Sequence, residues 1–187
     1  SNFGIRVLQK KTLRFISSLS ISGYAIPGIV ISVSTITFFS ILNEKFNINL
    51  KSFFIGSIYG LILGYLFRFY SISFNAIKAG YLKINQSIDD SASLLGFSKF
   101  RTLTKIHLPF FKKNIYFIFI LISLEIIKEL PITLILRPFN FETFSTKAYN
   151  FASQDLIEAA SVPSLFLILW TTFLIILSIK YFLSEEK

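Results

Sequence analysis

The sequence predicts an all-α integral membrane protein. Three observations carry that prediction: long apolar runs of spanning length, basic residues gathered between those runs, and no residues suited to another kind of site. Hydrophobic residues make up 53% of the 187-residue chain, yet its formal net charge is +9. A soluble domain of this size would be about 45–50% apolar. A bilayer core is about 30 Å thick, so a spanning helix needs roughly 20 mostly apolar residues. In lipid every backbone polar group must be paired within its own element, so the runs are read as helices.

Four stretches meet this requirement: residues 21–42, 53–74, 115–136 and 163–183. The first has Pro27 and Gly28 near its start. The second carries Gly56, Gly60 and Gly64 at i, i+4 and i+8, a bare face on which a neighbouring helix can lie close. Charge then orients the spans. Arg6, Lys10, Lys11 and Arg14 precede the first, and Lys78, Lys83, Lys99, Arg101, Lys105, Lys112 and Lys113 lie between the second and third. The opposite loops hold Lys45 and Lys51, then Arg137 and Lys147. Short cytoplasmic loops collect Lys and Arg, so the N-terminus, the 76–113 interval and the C-terminus are expected in the cytoplasm. Topology accounts for the basic surplus, and a nucleic-acid partner is not expected.

The chemistry is sparse. Cysteine is absent, which excludes disulfides, a thiol nucleophile and thiolate metal ligation. His107 stands alone, so no multi-histidine metal cluster can form. There is no GxxxxGK[ST] phosphate loop and no nucleophile–base constellation. The chain is therefore expected to be no enzyme, and to hold no cofactor and no metal. It begins at Ser1 and lacks methionine, so it reads as part of a longer or processed polypeptide. No secretory signal is visible, because the basic first twenty residues lack a small-residue cleavage site after a short apolar core.

The interval between the second and third spans is long for a connection in a compact membrane protein. From Gln86 it reads QSIDDSASLLGFSKFRTLTKIHLPFF. Ser87 followed by Asp90 has capping-box spacing and predicts a helix start. Ile88, Ala92 and Leu95 form one apolar stripe at helical spacing. Gly96 ends that helix by accepting positive φ, Ser98 caps a second one, and Pro109 stops it. On these grounds the loop is either an amphipathic hairpin tethered to the headgroups or a docking element for a cytosolic partner.

Asp90-Ser91-Ala92, three residues, Gly96, nine residues, Ile106, one residue, Leu108-Pro109 resembles the cytoplasmic loop of ABC importer permeases. That loop reads Glu-Ala-Ala, three residues, Gly, nine residues, Ile, one residue, Leu-Pro. Asp90 stands for Glu and Ser91 for Ala. The resemblance implies that residues 85–109 form a coupling helix pair seated in a groove of a separate cytoplasmic ATPase subunit. Asp90, Ser91, Ala92, Gly96, Ile106, Leu108 and Pro109 would then be the ATPase-coupling residues. A second set of residues is similar to ferric-iron importer permeases. These are Lys128-Glu129-Leu130-Pro131-Ile132-Thr133, Leu136-Arg137-Pro138-Phe139-Asn140-Phe141-Glu142-Thr143, Tyr149 with Ala152-Ser153, Glu158-Ala159-Ala160, and Gly23-Tyr24-Ala25-Ile26-Pro27-Gly28.

That similarity implies a multi-pass protein of the cell inner (plasma) membrane, with residues 1–187 as one partial permease domain similar to the second half of such a permease. Its implied partners are the ATPase, a periplasmic or extracellular substrate-binding protein, a second permease half or copy, and membrane lipid. Permeases for thiamine, phosphonate, sulfate or polyamines share the coupling loop and remain alternatives. A non-transporting scaffold subunit and an ion-driven transporter remain rival classes.

Glu125, Lys128 and Glu129 fall in the third predicted span, where ionisable groups are costly and tend to face protein or water. Glu125 and Lys128 are spaced to pair at i, i+3. Glu125 and Glu129 either line a translocation path as hard-oxygen ligands or fix helix packing beside a bend at Pro131. Arg68 is expected to snorkel to the headgroups, His107 to lie at the surface, and Phe117 and Phe119 to face lipid or pack. Phe139-Asn140-Phe141 would form an outer gate or a receptor-docking loop.

Overall fold

The computed structural model describes residues 22–46 and 53–183. The N-terminal basic cluster, the start of the first predicted span and the last four residues lie outside that range. The described residues form helices α1 (Gly28–Phe46), α2 (Ile58–Tyr81), α3 (Gln86–Leu94), α4 (Lys99–Thr102), α5 (Leu108–Phe110), α6 (Lys112–Lys128), α7 (Pro131–Leu136), α8 (Phe144–Ala152) and α9 (Ile157–Leu183). A π-helical turn, Leu103–His107, joins α4 to α5. Strands are absent among the described residues.

α1, α2 and α9 are each long and apolar enough to cross a membrane. The remaining predicted span is helical but divided. α6 ends at Lys128, Glu129 leaves the helix with φ −71° and ψ 116°, and α7 begins at Pro131. Proline has no N–H to donate and its ring clashes with the carbonyl four residues back, so an unbroken helix through Pro131 is disfavoured. The expected bend is thus a full break.

α1 and α2 run antiparallel, with Phe39 stacked on Phe54 (ring centroids 4.1 Å) just ahead of α2. α6 and α7 return along α2. Tyr81 meets Phe111 at one end (4.5 Å), and Ile132 and Leu136 meet Gly64 at the other. The packed centre is Ile31, Leu61, Ile132 and Leu136, with Ile36, Tyr65 and Phe141 against it. Lipid tails are as apolar as these side chains, so close packing rather than water exclusion holds such a centre together. The predicted glycine face contributes in part. A Cβ on Gly64 would lie 2.8 Å from Leu136 Cδ1 and 2.9 Å from Ile132 Cγ2, so the bare backbone is what admits α7. Gly56 instead precedes the helix, in the turn that Ser57 caps through the Gly60 N–H at 3.3 Å.

α8 and α9 form a hairpin. Leu156 N donates to Phe151 O (3.0 Å) and Asp155 N to Ala152 O (3.1 Å), with Asp155 at φ 59°. This paired closure requires a left-handed residue, which a short polar side chain tolerates. α9 packs through Phe166 on Phe144 (5.4 Å) and through Tyr181 on Tyr116 (4.2 Å). Elsewhere it exposes Leu165, Ile168, Leu169, Trp170, Phe173 and Ile176.

Candidate functional site

Two places gather the sequence-predicted residues: the α3–α5 loop and the break after α6. In the loop, α3 is capped by Asn85, not by Ser87. Asn85 has extended backbone angles (φ −64°, ψ 144°), and its Oδ1 accepts from Ser87 N at 3.4 Å. Asn is as good an N-cap as Ser, so the residue that first turns out of the preceding segment takes the role. The exit is as expected. Gly96 has φ +75°, Gly96 N donates to Ser93 O (3.0 Å), and Phe97 N donates to Ala92 O (3.0 Å). Both orphaned carbonyls are thereby satisfied in a Schellman closure. Ser98 Oγ then accepts from Arg101 N (3.3 Å) at the head of α4.

Pro109 does not stop the second helix. The turn ahead of it widens to the π form, with Leu108 N donating to Leu103 O, and Phe111 N resumes the α pattern on His107 O (2.9 Å). An extra residue in the turn moves the backbone that the proline ring would strike. α4, the π turn, α5 and α6 therefore form one bent rod running from the loop into the span.

The loop's apolar stripe is mostly outward. Ala92 is buried, but Ile88, Leu94, Leu95 and Phe100 are exposed. Asp90 and Ser91 face out, Ile106 is half-buried, and Leu108 and Pro109 are exposed. His107, expected at the surface, is fully buried, and its Nε2 lies 2.7 Å from Asp89 Oδ1. The π turn is what rotates it inward, against the rings of Tyr81 (5.3 Å) and Phe111 (6.4 Å).

At the break, Arg68 does not snorkel. Its Nε lies 3.2 Å from Glu129 Oε2, its Nη1 donates to Ile26 O (2.8 Å), and its guanidinium sits 5.8 Å from the Tyr24 ring centre. Glu129 is 7% exposed, and its Oε1 accepts from Ile132 N (3.4 Å). The same oxygen occupies the space a Cβ on Gly28 would need, 2.8 Å away. The carboxylate thus lies beside a guanidinium and at the N-terminal end of α1, both of which favour negative charge. Below it, Thr133 Oγ1 donates to Glu129 O (2.7 Å), so the 2.5 Å contact with Tyr65 is donated by the tyrosine. Ser145 of α8 donates to the same carbonyl (3.3 Å).

Glu125 pairs with Lys128 at 2.7 Å, the predicted i, i+3 contact. The structure does not bring Glu125 and Glu129 into one cluster, because the chain turns out of the helix between them. Among the described residues no group of three or more His, Cys, Asp or Glu side chains is arranged to hold a metal ion.

Over 163 residues the chain is 29% identical to the Fe(3+)-transport system permease protein FbpB 2 of Haemophilus influenzae. The match covers 84% of this chain and 30% of that protein. This chain is similar to a ferric-iron transport permease. It spans less than a third of that relative's length. No protein-family model and no solved structure matches it.

Beyond the break, this permease-like chain turns through a clamped loop. Arg137 Nη1 donates to Phe141 O (3.1 Å) and lies 3.3 Å from Glu142 Oε1, which also accepts from Asn150 Nδ2 (3.0 Å). Asn140 takes φ 61°, and Phe139 projects outward at 95% exposure. Thr143 and Thr146 close a capping box at the head of α8. Sequence reasoning assigns no structural role to Tyr65, Asp89, Thr133 or Ser145. Thr133 lies four residues after Glu129, the spacing for a side-chain bond to a helical carbonyl, and that was the available signal.

Proposed function

We propose that this chain is part of the transmembrane permease of an ATP-driven ABC importer for ferric iron. Its α3–α5 loop docks on a separate cytoplasmic ATPase subunit, and alternating access follows from ATP-driven motion of that loop. The observation that carries the reading is the arrangement of the motif residues. Asp90 and Ser91 are exposed, as are the apolar Leu94, Leu95 and Phe100 of the same loop, while Ala92 supplies the buried foot and Gly96 the tight exit. An outward polar and apolar face on a short, well-capped helix is what a helix-in-groove partner takes up. The likeness to a ferric-iron transport permease supports both the transport class and the substrate.

In this reading the N- and C-termini and the loop lie in the cytoplasm, a binding protein delivers iron from outside, and the exposed α9 face meets lipid or the rest of the permease. Glu125 and Glu129 act in packing rather than as ligands for the cargo, since each carboxylate is already engaged by a cation. The test is reconstitution of the complete permease with its ATPase and binding protein, measuring iron-stimulated ATP hydrolysis in wild type and Asp90→Lys. Stimulation by ferric iron that Asp90→Lys abolishes, with the permease still inserted, is the expected result. Stimulation by thiamine, phosphonate, sulfate or polyamine in place of iron would retain the permease and discard the metal. Uptake that runs without the ATPase would favour an ion-driven transporter, a class whose paired broken helices are hinted at in this chain by the break at Pro131 alone.

A further inference from the structure

α3 is fastened to the rest of the chain on its inner face. Ala92, 2% exposed, sits there, and beside it Asp89 reaches His107 at 2.7 Å. His107 lies in the π turn of the rod that continues into α6. Its ring is flanked by Tyr81, the last residue of α2, and by Phe111, the residue before α6, and these two rings are themselves 4.5 Å apart. One buried side chain therefore joins the loop helix to the ends of two spans. A hydrogen bond to a carboxylate is stronger than a neutral one, and close-packed aromatic surroundings deform little. A displacement of α3 accordingly pushes on His107 instead of being absorbed in the loop. Asp90, Ser91, Leu94 and Leu95 point the other way, so docking and transmission use different faces of one helix.

We propose that the Asp89–His107 contact is the strut that carries motion of α3 into α2 and α6, with both residues positioning the spans for transport. The inference rests on the permease reading above. It separates two properties that the outward face alone would join: holding the ATPase, and converting its motion into movement of the spans.

The complete permease, reconstituted in liposomes with its ATPase and binding protein, tests this. Iron uptake and ATP hydrolysis are measured in the same vesicles for wild type, Asp89→Leu, His107→Phe and Asp89→Asn. Uptake per ATP hydrolysed should fall about tenfold in the Leu and Phe variants, within the usual range for coupling between sites. The ATPase should remain bound in both. Asp89→Asn, whose Oδ1 still accepts from His107 Nε2, should keep most of the wild-type ratio. An unchanged ratio in Asp89→Leu and His107→Phe overturns the strut. Loss of bound ATPase in both variants also overturns it, reducing the contact to a folding role. A wild-type complex that takes up no iron and shows no stimulated hydrolysis overturns the permease reading itself, and the strut with it.

Discussion

Arg68 Nε lies 3.2 Å from Glu129 Oε2, so a cation in the middle of α2 neutralises an anion at the break between α6 and α7. The pair ties three segments together, because Arg68 also holds Ile26 O ahead of α1. Removing one partner of a buried pair strands the other charge, at a cost of about 3–5 kcal/mol, whereas an apolar replacement of both can be close to neutral. Glu129→Leu and Arg68→Met should each lower the melting temperature of the purified protein more than the double variant does. Additive losses would show that the two charges do not depend on each other.

The same geometry explains what was legible beforehand. The apolar runs are local properties of composition, so the helices were readable, as were the Lys128–Glu125 pair at i, i+3 and the positive φ at Gly96. The partner of Arg68 lies far off in the sequence, at the break after α6, and span position alone cannot reveal it. His107 was misread because its direction depends on a widened turn ahead of Pro109. Asn85 and Ser87 are both competent caps, and only the path of the chain leaving α2 decides between them. The break at Glu129 was anticipated as a bend, since Pro131 signals an interruption without setting its size.

Tyr65 and Thr133 form a second link across the same helices, 2.5 Å apart. Hydrogen bonds between membrane helices average about 0.6 kcal/mol, so Tyr65→Phe should cost little. Thr133→Val should cost more, because Thr133 also donates to Glu129 O beside the break. Unfolding titrations in detergent compare the two, and equal losses would contradict the double role of the threonine.

Gly64 is where α7 meets α2, with Leu136 Cδ1 and Ile132 Cγ2 under 3.0 Å from any Cβ built there. Overfilling a packed contact costs about 1–3 kcal/mol. Gly64→Val should therefore destabilise the fold by that order, while Gly96→Ala, which meets nothing within 4 Å, should act only through its positive φ. Hydrogen exchange distinguishes them. Gly64→Val should speed exchange in α2 and α7, and Gly96→Ala should speed it only at the end of α3. A Gly96→Ala effect that spreads through α2 would refute the local account.

This stretch holds no cysteine, so in a complete permease cleared of thiols elsewhere a single cysteine introduced here is the sole target and reports topology. Phe139 is 95% exposed in the turn after α7, and Leu94 is 89% exposed at the end of α3, with α6 between the two. If the basic loop is cytoplasmic, Phe139→Cys in the complete permease should react with a membrane-impermeant maleimide on intact cells or spheroplasts. Leu94→Cys, in permease expressed without the ATPase that would cover this face of α3, should react only after the membrane is opened. Both positions lie off the packed core, so neither substitution should disturb folding. The reverse pattern would invert the orientation and remove the loop from reach of any cytoplasmic ATPase. Labelling of both sites in sealed cells would mean that α6 and α7 do not cross the bilayer at all, in which case the divided helix would be a re-entrant element and the permease would need a different arrangement of its remaining spans.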